Sequence, residues 1–498
     1  MSKRQLKGDD ARMLPKKQAK REKVSDRLSN QKRSDMGEQL AALHRELMET
    51  DKSMLVIVDG WESSGKGYLL KDLTRELDPK HYEVSLFEES SKDESQHPYL
   101  YRFITKSPKR GEIVFFDRSF YYDLFNDPSL KEETLQHYIE DISFIEEAIS
   151  HDDTLVVKLF LHQTKKEMKE NISDLEKDDY RHVRLDEKDY HQLKHYDDYY
   201  KHFENILKQT NFERSPWHIL YVKGKKNTSR KALQLCMDEL KNHLSTDLTR
   251  SEPELTDKNE SPLDQVDLSL SISDKDYDKE LEDLQKKAGD LLYQVYIENK
   301  AIIVVYEGTD AAGKGGNIQR LTRYMDPRGY DVSTTAAPTK EEQSRHYLWR
   351  FYRDFPTLGR MTVFDRSWYG RVLVERIEEL TPAYRWKEAY GEINQMEHNL
   401  DHQGYLVLKY LIIIDKEEQL ERFEARADDP MKEHKLTDED WRNHEQFDAY
   451  KEAMIDMINQ TSTDHTPWKI VSGTSKKHAR IEVLKDFIDC VTSYLDKE

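Results

Sequence analysis

One phosphate-cradling loop occurs twice in this chain, and that repetition constrains the fold more than any other feature. GWESSGKG at 60–67 and GTDAAGKG at 308–315 share a frame, each preceded by an apolar run, MLVIVD or AIIVVYE. Their lysines, Lys66 and Lys314, are 248 positions apart. VFFDRSFY, ending at Tyr121, returns as TVFDRSWY, ending at Tyr369, at the same offset. SPWHILYV and TPWKIVSG put Trp217 and Trp468 at an offset of 251. Three matches in order, with one small length change, read as a tandem duplication.

Each copy follows one plan. A helical segment (36–50, then 277–299) leads to a short apolar strand, a glycine-rich turn and a helix such as Gly316–Tyr324. A second apolar strand carries Asp-Arg-Ser, a long charged helical stretch follows, and a last strand succeeds the Pro-Trp pair. Short apolar strands alternating with helices predict an α/β fold whose parallel sheets are built from βαβ units. Residues 245–276 hold nine acidic and three basic side chains with Ser and Pro, and read as a linker. Residues 1–33 hold twelve basic and four acidic side chains without a periodic apolar face. The expected organisation is a flexible basic arm at 1–35, a domain at 36–244, an acidic linker at 245–276 and a second domain at 277–498.

Only 36% of the 498 residues are hydrophobic and 35% are charged, and there is no run long enough for a membrane-spanning helix. The basic N-terminus lacks the apolar stretch of a secretory signal. Cys236 and Cys490 are the only cysteines, giving no disulfide framework. A cytoplasmic location is expected. The net charge of −19 argues against a general nucleic-acid binder, which needs a net basic surface. A polyanionic substrate would have to meet locally clustered cations.

Gly308-x4-Gly313-Lys314 after a strand and before a helix is the P-loop context. Its glycines, with Gly315 and Gly316, let backbone N–H groups approach phosphate oxygens at a helix N-terminus. Lys314 would put a cation on the transferred phosphate. Gly315 stands where Ser or Thr usually helps hold magnesium, so Asp310 and Asp365 become the metal-binding candidates. Asp310 could instead orient or deprotonate the acceptor phosphate. Asp365-Arg366 closes its strand, and Arg366 suits bidentate phosphate contact, although a structural ion pair is the competing reading. Arg345, Arg350 and Arg353 could line a phosphate track or be solvated helix charge. Arg422 and Arg426 share a helix face, with Lys432 and Lys435 just beyond. Cations on a mobile helical lid neutralise a transferring group in many kinases.

GTDAAGKGG, MDPRGYDV, PTKEE…HYLWRF, FDRSWYGRVLVER and KLTDEDWRNHEQFDAY followed by TSTDHTPW together resemble the polyphosphate kinase 2 family. The resemblance covers nearly all of 268–490, and the duplication is similar to that family's two-domain, AMP-phosphorylating branch. It implies two tandem P-loop kinase domains with a helical lid, dependence on Mg2+ (or Mn2+), and inorganic polyphosphate as donor, giving ADP from AMP. It also implies catalytic roles for Lys314, Asp310, Asp365 and Arg366. Glu433 and His434 depart from the Arg and aromatic many members carry. Phosphorylation of ADP or GDP, an ATP-dependent nucleoside monophosphate kinase, and a non-catalytic polyphosphate-binding module are the alternatives. Base preference and homo-oligomer formation are not legible.

The copies differ. Asp310 corresponds to Glu62, Gly316 to Tyr68, Arg345 to His97, Arg371 to Asp123, Arg422 to Asn171 and Arg426 to Leu175, while Lys66, Arg102, Asp117 and Arg118 are retained. Each lost charge-assisted contact weakens polyanion binding by roughly 1.5–3 kcal/mol. The C-terminal copy is therefore expected to catalyse, and the N-terminal copy to be structural or regulatory.

Overall fold

The computed structural model describes residues 13–14, 30–222, 224–246, 252–256, 261–429 and 438–497. They form two five-stranded, wholly parallel sheets with helices on both faces. In the first, β1 (Ser53–Gly60), β2 (Tyr82–Leu86), β3 (Ile113–Asp117), β4 (Thr154–His162) and β5 (Trp217–Tyr221) run in the order β2-β3-β1-β4-β5. In the second, β6 (Ala301–Gly308), β7 (Tyr330–Thr334), β8 (Met361–Asp365), β9 (Tyr405–Ile413) and β10 (Trp468–Ser472) repeat that order as β7-β8-β6-β9-β10. A parallel sheet covered on both faces needs continuous apolar strands. β1 and β6 accordingly bury every residue except the terminal glycine.

The first of each set of five is the central strand, with its successors split to either side, so the chain diverges at its carboxyl end. Open α/β sheets bind ligands at such a crevice. Register places Asp117 opposite Val58 and Asp365 opposite Tyr306, which puts each Asp-Arg turn beside a glycine-rich loop. Helices cover the strands with matching apolar faces. Ala288, Leu292 and Val295 of helix Asp274–Ile297, Ile318 and Leu321 of helix Lys314–Leu321, and Val483, Leu484 and Phe487 of helix Lys476–Leu495 share one core with β6, β8 and β9.

On the opposite face each copy buries a charged network. Lys409 and Glu397 are fully buried 2.7 Å apart, and Lys409 also donates to the Tyr369 hydroxyl (2.9 Å) and the Thr461 carbonyl (2.8 Å). Glu397 accepts from Tyr369 (2.7 Å), Trp368 (3.1 Å) and Thr466 (2.9 Å). Lys158, Glu146, Tyr121, Thr210 and Ser215 repeat the pattern. Burying such a pair is tolerable only because its hydrogen bonds are met. Tyr121 and Tyr369 each stand two residues after the Asp-Arg-Ser serine, so the network anchors the segment that follows it.

The described residues of Met1–Ser91, Arg102–Leu248 and Lys340–His346 form one compact unit, and those of Lys92–Tyr101, Thr249–Thr339 and Tyr347–Glu498 form another. Residues 92–101, expected in the first domain, thus belong with the second unit, where the Tyr99 N–H donates to Gln403 (2.7 Å). Within the stretch expected to be a flexible arm, Leu14 is fully buried, and the N–H groups of Met13 and Leu14 donate to the Glu204 carboxylate at 2.9 and 2.6 Å. In the linker, Glu252 and Asp264 pair with Lys387 and Lys451 of the second unit, each at 2.7 Å. Among the described residues no helix is long and apolar enough to cross a membrane.

Candidate active site

The second loop is shaped by its glycines. Gly308 ends β6 at φ 136°, where an added Cβ would lie 1.9 Å from the Ile412 carbonyl oxygen. The chain then turns through Ala311 (φ 61°) and Gly313 (φ 106°) into helix Lys314–Leu321. Left-handed geometry of this kind favours glycine. It aims the first N–H groups of the helix into the loop, the arrangement that receives phosphate oxygens.

Charged groups converge there. Lys314 Nζ donates to the carbonyls of Gly308 (2.7 Å) and Thr309 (3.3 Å). Burial lowers its pKa against the pull of Asp310. Burial would raise Asp310, but Lys314, Arg366 and the Asn443 hydrogen bond outweigh it and hold the carboxyl below its ordinary value. Arg366 NH2 lies 2.8 Å from Asp310 Oδ1. The Arg366 backbone is left-handed (φ 63°), with its N–H on the Tyr306 carbonyl at 3.1 Å. That bend turns the guanidinium toward the loop. Asp365 Oδ2 stands 3.9 Å from where a Cβ on Gly315 would be.

Glu307, absent from the sequence-based set, joins the two motifs. Its Oε1 accepts from both the N–H and the hydroxyl of Ser367 at 2.8 Å, locking the end of β6 to the turn after β8. Burial raises its pKa. The signal was present in the repeat, since Asp59 holds the same position and accepts from Ser119 at 2.6 Å.

Helices Lys416–Ala427 and Asp438–Glu445 reach the loop from the lid stretch. Asn443 Nδ2 donates to Asp310 Oδ2 (2.8 Å), Gln419 Nε2 to the Asp310 carbonyl (3.2 Å), and His444 Nδ1 lies 2.8 Å from Gln419 Oε1. Arg422, expected as a phosphate contact, is turned inward. Its NH1 donates to the carbonyls of Ala311 (2.8 Å) and Ala312 (3.1 Å), and its NH2 to those of Gly473 (2.8 Å) and Thr474 (2.9 Å). Its Nε pairs with Glu418 at 2.6 Å. All five donors of the guanidinium are engaged.

The other expected cations are dispersed. Arg345 belongs with the first unit and donates to the Ser107 carbonyl. Arg350 donates to the Ala336 carbonyl at 3.1 Å, and Arg426 lies over the Phe423 ring. Lys432 and Lys435, with Glu433 and His434, lie outside the described residues. Two cations not singled out in the sequence stand nearer the loop. Lys476 Cγ is 3.8 Å from a Cβ added at Gly313, and Arg480 NH2 is 3.4 Å from one added at Gly316. Burial and the neighbouring Arg422 and Arg426 lower the Lys476 pKa.

The first loop is filled by its own side chains. Glu62, one methylene longer than Asp310, bonds both Lys66 (3.2 Å) and Arg118 (2.8 Å). Burial opposes its ionisation, yet those two cations bring its pKa to about 2. Trp61 is fully buried and stacked on Tyr196, 4.3 Å between ring centroids. The Tyr68 hydroxyl accepts from Arg33 at 2.9 Å, and the ring lies 5.7 Å from Lys225, which corresponds to Lys476. Asn171 occupies the Arg422 position and reaches the Ser63 carbonyl at 3.4 Å.

A parallel sheet in this order, with a lysine-bearing loop after its first strand and an Asp-Arg turn on the adjacent strand, defines a P-loop kinase domain, present here twice. The polyphosphate kinase 2 profile matches residues 23–247 and 271–498. The chain belongs to the polyphosphate kinase 2 family. It is 34% identical over 446 residues to the polyphosphate:AMP phosphotransferase of Pseudomonas syringae pv. tomato, covering 88% of this chain and 90% of the relative. It is 32% identical over 465 residues to the polyphosphate:AMP phosphotransferase of Acinetobacter johnsonii, covering 90% and 92%. A Pseudomonas aeruginosa PA01 protein crystallised as polyphosphate kinase 2 superposes with a TM-score of 0.84 at 33% identity, covering 94% of this chain and 96% of that one.

Proposed function

We propose that this protein transfers a phosphoryl group from inorganic polyphosphate to AMP in the cytoplasm, and that the C-terminal copy does the chemistry. The observation carrying this reading is the convergence of Lys314, Asp310, Asp365 and Arg366 at the glycine-rich loop. The names of two relatives aligned over about nine-tenths of the chain support AMP as acceptor.

In the reaction an oxygen of the AMP phosphate bonds to the terminal phosphorus of the chain. The bond from that phosphorus to the bridging oxygen breaks, leaving ADP and a polyphosphate one unit shorter. Lys314 and Arg366 neutralise charge on the transferred group, and the helix N–H groups hold its oxygens. Lys476 and Arg480 extend the cationic surface along the donor. Asp310, held ionised by Lys314 and Arg366, fixes the position of Arg366 and ties the lid helices to the loop. Arg422 serves as a brace for the loop backbone. Glu307 fixes the Asp-Arg turn through Ser367.

The residues fit a divalent cation with hard oxygen ligands. The Asp365 carboxylate makes no hydrogen bond or ion pair among the described residues and faces the side-chain-free Gly315. Asp365 would hold Mg2+ or Mn2+, with Asp310 beside it, and the ion would supply charge neutralisation at the phosphates. For the N-terminal copy a structural role is supported by the direct Glu62–Lys66 ion pair, where Lys314 of the second copy bonds only loop carbonyls, and by Tyr68 and Asn171 standing at the positions of Gly316 and Arg422.

Phosphoryl transfer from polyphosphate to AMP, GMP, ADP and GDP without ATP tests the reading. AMP is phosphorylated fastest of the four, Lys314→Ala loses roughly 10²–10³ in kcat, and Lys66→Ala retains activity. No ADP from polyphosphate and AMP would sink the assignment. Turnover abolished by Lys66→Ala but spared by Lys314→Ala would reverse the roles of the copies.

A further inference from the structure

Three imidazoles meet on the second unit, at the end of helix Ala383–His402 and in the turn before β10. His398 and His402 are four residues apart, so they share one helix face. Their ring centroids are 3.9 Å apart, with ligand nitrogens within 4.8 Å of one another. His465 brings its ring centroid to 5.0 Å from His398 and 6.2 Å from His402. Asp401 Oδ2 lies 2.9 Å from His465 Nδ1. A carboxylate there fixes the proton on Nδ1 and leaves the Nε2 lone pair for a metal, the support metal-ligating histidines ordinarily receive.

We propose that His398, His402 and His465 form a binding site for a divalent transition-metal ion, Zn2+ above all, with Asp401 as the positioning residue. Three neutral imidazoles and one water complete the tetrahedral shell Zn2+ prefers. Mg2+, which seeks oxygen ligands, does not compete for it. His402 and His465 are exposed and His398 half-buried, and rotation of the His465 ring toward the other two would bring the three nitrogens to about 2.0–2.1 Å from one ion. The ion would tie the helix end to the turn. Glu397 beside His398 and Thr466 beside His465 already share a 2.9 Å hydrogen bond in the buried Lys409 network. A metal bridge would therefore stiffen the second core. At the 251 offset the first copy has Glu147, His151 and Arg214, a single imidazole. The site is a property of the second copy alone.

The test uses the untagged full-length chain, treated with chelator and titrated with ZnCl2 by calorimetry and with CoCl2 by visible absorption. One saturable Zn2+ site of micromolar affinity is expected, with a tetrahedral Co2+ spectrum and a metal-dependent rise in Tm. His398→Ala and His402→Ala each weaken binding at least tenfold and abolish the Tm rise, while their metal-free Tm stays that of the parent. Asp401→Asn weakens binding several-fold, and His151→Ala leaves it unchanged. Failure of the parent chain to bind Zn2+ overturns the proposal, as does full-affinity binding in the double His398→Ala/His402→Ala variant.

Discussion

Replacing Arg422 with alanine separates two roles for one side chain. As a cation on the lid it would contact donor phosphate. In the structure it is buried, and its donors are engaged by Glu418 and by the carbonyls of Ala311, Ala312, Gly473 and Thr474. Truncation leaves four carbonyls and one carboxylate without their partner. Breaking a buried charged pair costs about 3–5 kcal/mol, after allowance for water entering the space. For a domain of this size each kcal/mol lowers Tm by about 2–4 °C, so the second unit is expected to melt roughly 6–20 °C lower. Calorimetric unfolding of the full chain reads this, alongside kcat and KM for polyphosphate. Arg422→Asn, copying Asn171 of the first copy, recovers part of the loss because one amide still reaches the loop backbone. A Tm within 1 °C of the parent, together with a tenfold rise in the KM for polyphosphate, would refute the brace and restore the phosphate contact.

Other perturbations address the supports of the site. Lys409→Met leaves Glu397 buried without its cation and is expected to destabilise the second unit by about 3–5 kcal/mol; pairing it with Glu397→Gln recovers much of that in urea unfolding, and equal loss in both variants would argue against the ion pair as the cause. Gly308→Ala forces a methyl against the Ile412 carbonyl at positive φ and is expected to cost more than about 3 kcal/mol; thermal unfolding within 2 °C of the parent would contradict the close approach. Burial raises the Asp59 carboxyl to about 7 despite the Ser119 hydrogen bond and nearby Lys66. Its folded pKa lies above the ordinary carboxylate value of about 3.9, so the folded state binds the extra proton and stability from this group falls as pH rises between the two. That deficit is on the order of 4 kcal/mol above pH 7. The Tm gain of Asp59→Asn should therefore grow from pH 4 to pH 8, and a gain independent of pH would count against it.

Much of the fold was legible because the duplication prints it twice. The period-248 matches fix which strands correspond, and apolar strands alternating with helices imply parallel pairing. The loop, Lys314, Asp365 and Arg366 could be read because strand, turn and helix lie close together in sequence. Asp310 was legible too, being inside the loop. The side chains that hold it were not. Asn443 lies 133 residues away and Ser367 lies 60 from Glu307, separations no local pattern encodes.

The sequence by itself determined the two P-loop domains, their parallel sheets and the residues by which their loops differ, since backbone geometry at a glycine-rich turn follows from local residue type. Only the tertiary structure decided which way a long side chain faces. Arg422 and Arg426 share a helix face in sequence, yet one is buried against loop carbonyls and the other lies over Phe423. Only the fold shows Glu62 bridging Lys66 and Arg118, where Asp310 pairs with Arg366 and Asn443. The reason is physical: a guanidinium or carboxylate takes whichever partners the packed elements bring within about 3 Å, and those partners are set by the whole sheet.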